Sequence, residues 1–312
     1  MKIYAPDYYK KFSCIADKCK HSCCIGWDIE VDDFTYELYK DMGGEFAEIA
    51  YKYIVTDKHN AHSFKMKEDG RCPLLDENGL CKVILNWGDD IICKICKEHP
   101  RFRNYFSDRE EIGLGLCCEA VAELIVSKEE KTEIIRLPDD CFEEEELKKY
   151  EKMLLDIREK AIRMIQDRSK TYRERTKGFH RICKTEAREY KNKEIYDIIY
   201  PLERLDKSWD DVLSSLLKAE DVQTEGYDTV CEQLAVYFIF RHINEECEAI
   251  RGTLSFALFS VQAIMKLSRA YYGDSPELAQ IADIARMYSA EIEYSDCNIN
   301  EIIEKILIAD SH

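Results

Sequence analysis

Residues 14–24, CIADKCKHSCC, place four cysteines in eleven positions, and that density decides how the rest of the chain is read. Cys72-x8-Cys81, Cys93-x2-Cys96 and Cys117-Cys118 continue it, so ten of the fifteen cysteines fall within the first 118 residues. An ordinary free cysteine is a small, buried hydrophobe. Packing asks neither for two adjacent Cys-Cys pairs nor for a pair spaced by two residues. Thiolates at such short spacing suit a soft metal, either zinc or an iron–sulfur cluster.

A disulfide framework is the rival reading, and it belongs to short secreted chains that cannot bury an adequate core. This chain has 312 residues, 46% of them hydrophobic, which is enough for one or two ordinary cores. Its first residues, MKIYAPDYYKKF, lack the apolar run of about 7–15 residues that a signal peptide needs. No stretch approaches the roughly 18 apolar residues of a membrane span. The expectation is a reduced, cytoplasmic protein with ligated thiolates and no membrane partner.

A net charge of −17 argues against a nucleic-acid partner, because phosphate contact needs a basic face. The charge is unevenly spread. Between Arg158 and Lys193 there are thirteen Lys or Arg against five Asp or Glu. That segment reads either as a solvated helical face or as a docking surface for an acidic partner.

The spacing of apolar residues predicts a mainly α protein, with an irregular, metal-organised, Cys-rich N-terminal module (1–125) carried on an α-helical body (126–312). In the module, Gly26–Val31 reads as extended. Asp32 is an N-cap for a helix with Phe34, Leu38 and Met42 on one face. Gly43-Gly44 breaks that helix, and Phe46, Ile49 and Tyr53 form a second apolar series. FKMKEDGRCPLLDENGLCKVIL (64–85) reads as a short hairpin turning at Asp76-Glu77-Asn78-Gly79, which brings Cys72 and Cys81 together. In the body, Thr132–Asp140 reads as a connector. Leu147 to Met164 has the stripe of an amphipathic helix, and Leu202 to Leu216 repeats it. Val230–Ile250 and Leu254–Leu267 are apolar enough to be interior helices. Ser275-Pro276 starts a further helix with Ser275 as its cap, and Ile302–Ile308 is the last.

Among the cysteines, neighbours such as Cys23 and Cys24 tend to diverge, so one of them is expected to face away from a shared metal. Cys93-x2-Cys96 is a knuckle that lets two sulfurs converge. Cys117-Cys118 precedes an apparent helix, whose positive end favours thiolate. The isolated Cys141, Cys183, Cys231, Cys247 and Cys297 are assigned to packing. His21 is either a ligand or a surface histidine. Arg101 and Arg103, close behind the knuckle, are either solvated or a guanidinium pair for a carboxylate or phosphate. No dinucleotide fingerprint, phosphate loop or nucleophile elbow occurs.

The segments YAPDYYKKFSCIADKCKHSCCIGWDI, GRCPLLDENGLCKVIL and ICKICKEHPRFRNYFSDREEIGLGLCCE resemble bacterial flagellin lysine-N-methylases. Through the cysteine pattern they also resemble a broader group of zinc- or iron-chelating Cys-rich domains. The resemblance spans roughly residues 3 to 125. It implies methyl transfer from S-adenosylmethionine to surface lysines of flagellin, with a [4Fe–4S] cluster and with zinc as the alternative metal. It makes Cys14, Cys19, Cys23, Cys24, Cys72, Cys81, Cys93, Cys96, Cys117 and Cys118 the candidate ligands. Arg101 and Arg103 then become candidates to clamp the cofactor's methionine carboxylate. The C-x3-C-x2-C signature of radical enzymes is missing, since Cys19-x3-Cys23 is followed by Gly26 at the third position. The alternative to an enzyme is a non-catalytic metal carrier or interaction protein.

Overall fold

A computed structural model describes residues 2–26, 28–138, 146–183, 188–221 and 226–309. The chain forms two compact units: Met1–Phe12 with Phe102–His312, and Ser13–Arg101. These boundaries differ from a division at residue 125, because strands and a helix that follow Phe102 group with the helical body. Strand β1 (Lys2–Pro6) precedes the smaller unit. That unit holds β2 (Glu30–Val31), α1 (Asp33–Met42), α2 (Gly44–Ile49), β3 (Ile54–Thr56), β4 (His62–Phe64), α3 (Lys82–Trp87) and α4 (Lys94–Glu98). Then come β5 (Arg101–Phe106), β6 (Arg109–Leu114), α5 (Glu119–Val126) and β7 (Ile134–Arg136). The remaining helices are α6 (Lys149–Ile165), α7 (Tyr172–Cys183), α8 (Asn192–Ile199), α9 (Ser208–Ser215) and α10 (Asp228–His242). The last are α11 (Ile250–Tyr272), α12 (Leu278–Tyr288) and α13 (Asp296–Ala309), with a π-helical turn at Ser289–Glu293. Helix therefore dominates, with some sheet. None of the helices among the described residues is long and apolar enough to cross a membrane.

In the larger unit, a four-stranded sheet runs β5-β6-β1-β7. Strand β1 pairs parallel to β6, with Tyr4 opposite Glu111, and antiparallel to β7, with Tyr4 opposite Arg136. The stretch expected as a connector thus contributes an edge strand of three residues, too short to show alternation. Gly113 on β6 sits under the Phe102 ring, where a Cβ would come within 2.2 Å of the ring's Cζ. Only glycine fits there. Helix α10 is buried at every position from Val230 to Phe240, and α11 is nearly so. Helices apolar on all sides belong in an interior, and α10, α11 and α12 pack on one another and on α5 accordingly.

Other expectations shift by a turn. Helix α12 is capped by Glu277, whose amide donates to Gln280 Oε1 at 2.8 Å. The Pro276 carbonyl is instead taken by the Tyr227 hydroxyl at 2.9 Å, so the helix starts beyond the expected Ser275 cap. Leu205 lies outside α9 and is 62% exposed. In the smaller unit α1 buries Thr35 and Tyr39, while Phe34 is 79% exposed, so the expected face is rotated. The hairpin's turn forms, with the Asp76 amide donating to the Leu80 carbonyl at 2.9 Å. Its arms are not strands, however. Leu75 and Cys81 share one isolated bridge, and the chain then enters α3.

Most described basic residues of the stretch 158–193 lie on the surface, as a solvated helical face would have them, but Arg158 and Arg175 are buried inside the larger unit. Arg158 meets Glu111 through both guanidinium nitrogens, Nη1 at 2.7 Å, and also donates to the Ile243 carbonyl at 3.1 Å. The rings of Phe106 and Phe240 flank it at 5.5 and 5.3 Å. Arg168 and Arg175 both bind the fully buried Glu232, at 2.8 and 2.7 Å. Lys160 and Arg163 make exposed pairs one turn apart along α6. A buried pair stripped of one partner leaves an uncompensated charge, which costs about 3–5 kcal/mol. Glu111→Gln should therefore lower the denaturant midpoint strongly, whereas Arg163→Ala should leave it unchanged; chemical unfolding followed by circular dichroism measures both.

Candidate functional site: a gathered set of thiols

The smaller unit draws its cysteines together with backbone pairings that local sequence does not announce. The Cys72 amide donates to the Cys24 carbonyl at 2.8 Å, and the Gly26 amide donates to the Gly70 carbonyl at 3.0 Å. Ile25 and Arg71 form the bridge between them. Residues 24–26 are thereby laid alongside 70–72. Cys81 then occupies the position just before α3, and Cys93 the position just before α4.

Asp32 fixes the knuckle. Its carboxylate caps α1 through the Thr35 amide at 3.1 Å and the Thr35 hydroxyl at 2.8 Å. The same carboxylate accepts from the Lys94 amide, the first residue of α4, at 2.9 Å. Burial would raise the Asp32 pKa, but the Lys94 amide and Thr35 outweigh it and hold the carboxyl below its usual range. One side chain therefore caps two helices 62 residues apart and orients Cys93 and Cys96 toward the core that holds Tyr39 and Cys72.

Five thiols are electrostatic neighbours in this arrangement. Cys72 senses Cys24, Cys81 and Cys96, and Cys81 senses Cys24 and Cys96. Cys96 is coupled to Cys93 through a hydrogen bond and also senses Cys24. The buried Tyr39 sits beside Cys93, Cys96 and Cys81. Burial pushes the Cys72 thiol up to about 12. Cys24 is held down at about 7, chiefly by its hydrogen bond with Cys23, against burial and with help from Ser22 and Arg71. Crowded thiols resist joint ionisation, and a bound cation removes that penalty because it deprotonates coordinating thiols.

The structure separates the remaining candidates. Cys14 and Cys23 are exposed and Cys19 is half-buried, all in the turns before residue 25. The Ala16 amide donates to Cys14 Sγ at 3.4 Å. Cys117 and Cys118 belong to the larger unit, where Cys117 Sγ donates to the Tyr294 hydroxyl at 3.0 Å. Among the described residues, no group of three or more His, Cys, Asp or Glu side chains is arranged to hold a metal ion as it stands. The thiols are gathered but not converged, and ligation asks for side-chain rotation in a backbone frame already set. The donor chemistry fits a thiophilic metal, since the gathered set is sulfur throughout. Arg101 Nη1 donates to the Lys97 carbonyl at 3.0 Å, and Arg103 is paired with Glu110. Cys231 and Cys247 are buried in the core as expected of packing residues, whereas Cys297 is exposed. Cys141 and the side chain of Cys183 lie outside the described residues.

Sequence reading missed a second polar constellation, in the larger unit. The π-helical turn directs Glu293 into the interior, fully buried. There it meets His242 Nε2 at 2.7 Å, the Tyr237 hydroxyl at 3.0 Å and Arg241 Nε at 3.3 Å. Arg241 also donates to the Tyr237 hydroxyl at 2.7 Å and lies between the rings of Phe102 and Tyr294. The only sequence cue is a set of polar residues inside apolar stretches.

A mainly α-helical chain with a thiol-gathering unit set between its first and later strands is the class that fold and site define. Comparison with curated proteins then supplies the family. The chain is 31% identical over 132 residues to a lysine-N-methylase of Salmonella typhimurium, covering 40% of this chain and 32% of that protein. A lysine-N-methylase of Salmonella choleraesuis gives the same identity and coverage. A flagellar biosynthetic protein, FliU, of Salmonella muenchen is 30% identical over 130 residues, which cover 40% of this chain and 77% of that protein. The chain belongs to this lysine-N-methylase family. It spans about a third of the length of the two lysine-N-methylases it matches. No family model matches it, and no solved structure matches it.

The Glu293 constellation makes stability depend on pH. Burial lowers the His242 pKa below its ordinary value, with Glu293 opposing. Burial alone would raise Glu293, but Arg241 and His242 hold it low. Both folded pKa values lie below their unfolded ones, so the native state resists protons that the unfolded chain accepts. Stability should be full above about pH 6.5 and fall on acidification, first through the His242 window and then through that of Glu293. Denaturant midpoints taken from about pH 7 to about pH 4 should show this decline, and His242→Gln should flatten its upper part.

Proposed function

We propose that this chain is a protein lysine N-methyltransferase that takes its methyl group from S-adenosylmethionine, acts on flagellin, and carries a thiolate-held [4Fe–4S] cluster in its smaller unit. The observation that carries the metal is the gathering of Cys24, Cys72, Cys81, Cys93 and Cys96 by long-range backbone pairing. The methyltransferase reading and its flagellar substrate draw on the names of the relatives. Five thiols exceed the four that one tetrahedral zinc or one cubane cluster uses. Zinc is the alternative. Bound there, the metal supplies positive charge that stabilises the thiolates and ties together loops poor in regular structure. The chain's own residues do the rest: Asp32 sets the knuckle, and the 24–26 and 70–72 pairing sets the opposite side.

Anaerobically purified protein should be brown, with broad visible absorption and iron and sulfide in cluster proportion. Colourless, stoichiometrically zinc-loaded and fully active protein would sink the cluster. Serine at Cys72, Cys93 or Cys96 should strip most of the metal, whereas Cys297→Ser should keep it; metal analysis of the folded variants reads the difference.

A non-catalytic metal-binding protein is the second reading, favoured by the limited share of this chain, 40%, that matches the relatives. Calorimetric binding of S-adenosylmethionine, followed by transfer of a labelled methyl group to flagellin lysines, separates the two. Metal-loaded protein that binds no donor and labels no flagellin overturns the enzymatic reading.

A further inference from the structure

Helix α1 turns one face toward the knuckle. Asp32, Thr35 and Tyr39 follow one another at spacings of three and four, which places them on the same side of the helix. Asp32 and Thr35 are bonded to each other, and Asp32 reaches the Lys94 amide, directly after Cys93, at 2.9 Å. Tyr39, two turns along α1, is 1% exposed and lies in the same core as Cys72 and Cys93. Its ring meets Phe46 edge-on with centroids 4.7 Å apart, and Phe46 meets Trp87 in the same way at 4.9 Å. The ring therefore has little room to swing away. A buried hydroxyl takes a partner, and this one hydrogen-bonds the Cys93 side chain.

With a metal at the thiols, that bond runs one way. A ligating cysteine has lost its proton and can only accept. A phenol keeps its proton at neutral pH, so Tyr39 donates. The surroundings are largely apolar, with Val31, Phe46, Phe64, Leu74 and Val83 buried in the same core. In a medium of low polarity a single hydrogen bond is strong. Hydrogen bonds to the ligating sulfurs are among the features that set the reduction potential of an iron–sulfur cluster.

We propose that Tyr39 is a positioning residue of the thiolate site, donating a hydrogen bond to the Cys93 sulfur that withdraws electron density and stabilises the reduced, more negative state of a cluster held there. Resting on metal ligation by the gathered thiols, this role is independent of the methyl-transfer reading. Asp32 fixes the backbone behind the first sulfur of the knuckle, and Tyr39, on the same helix face, sets the charge that sulfur presents to the metal.

The full-length chain, purified anaerobically, is compared with Tyr39→Phe and Tyr36→Phe. Phenylalanine keeps a ring against Phe46 and removes only the hydroxyl. Tyr36, also on α1, bonds the Tyr51 hydroxyl at 3.1 Å and is the control. Iron and sulfide content and circular dichroism establish that each variant is loaded and folded. Redox titration followed by electron paramagnetic resonance should place the Tyr39→Phe midpoint lower by about 59 mV, a tenfold shift for one electron. Tyr36→Phe should not move it. Cobalt(II) loaded into metal-stripped protein gives a readout that needs no cluster. Its sulfur-to-metal charge-transfer band should move to longer wavelength in Tyr39→Phe alone. Where Tyr39→Phe fails to retain metal, site-specific fluorotyrosine at position 39, a more acidic phenol, should raise the midpoint and move the cobalt band to shorter wavelength. Potential and cobalt band both unchanged in a loaded Tyr39 variant overturn the donor role and leave the cluster standing. A cobalt shift in protein that holds no iron–sulfur cluster keeps the donor role and overturns the cluster. Failure of both iron and cobalt to bind overturns both.

Discussion

The larger unit hangs on the ion pair between Arg158 and Glu111. Glu111 stands on β6 beside β1, Arg158 lies midway along α6, and the Ile243 carbonyl that completes the set ends α10. Sheet, outer helix and central helix thus share one buried charge pair, roofed by Phe106 and Phe240. Such a pair adds little net stability relative to a hydrophobic replacement, because desolvation offsets much of the attraction. What it does impose is register, since any slip of α6 against the sheet leaves a bare charge in the interior. Glu232 with Arg168 and Arg175 applies the same constraint one layer further along.

In the smaller unit the equivalent constraint is lighter. Its core is small, its strands have two or three residues, and Asp32 does the work of joining α1 to α4. A unit of about 90 residues with so little regular structure sits near the lower limit of what apolar burial sustains. Metal ligation by gathered thiols is the usual remedy. Cys14 and Cys23 are exposed and Cys19 is half-buried, all in the turns that precede the paired 24–26 segment.

The two units differ in where they place their polar side chains. The thiols sit in turns and at helix starts. The Glu293 constellation sits inside a helical core and is reached only because a π-helical turn redirects one residue. Such turns recur at functional sites. Here the turn turns Glu291 inward as well, to accept the Leu205 and Asp206 amides, so its local role is also structural.

The sequence by itself determined the helical character of the body, the buried status of α10 and α11, the Asp32 cap and the turn at Asp76. Each rests on residues close in sequence, whose periodicity or capping chemistry is local. It also marked the cysteines as a metal-suited set and carried the family resemblance. Tertiary structure alone decided that five of the ten gather while Cys117 and Cys118 join the other unit, because nothing local encodes the pairing of residues 24–26 with 70–72. It alone drew Arg158, Arg168 and Arg175 out of the basic 158–193 stretch onto buried carboxylates, since an arginine's partner across 47, 57 or 64 residues leaves no periodic trace. It also turned α1 so that Phe34 faces solvent and Tyr39 the thiols. A helix's buried face is chosen by the elements packed against it, and those elements are distant in sequence.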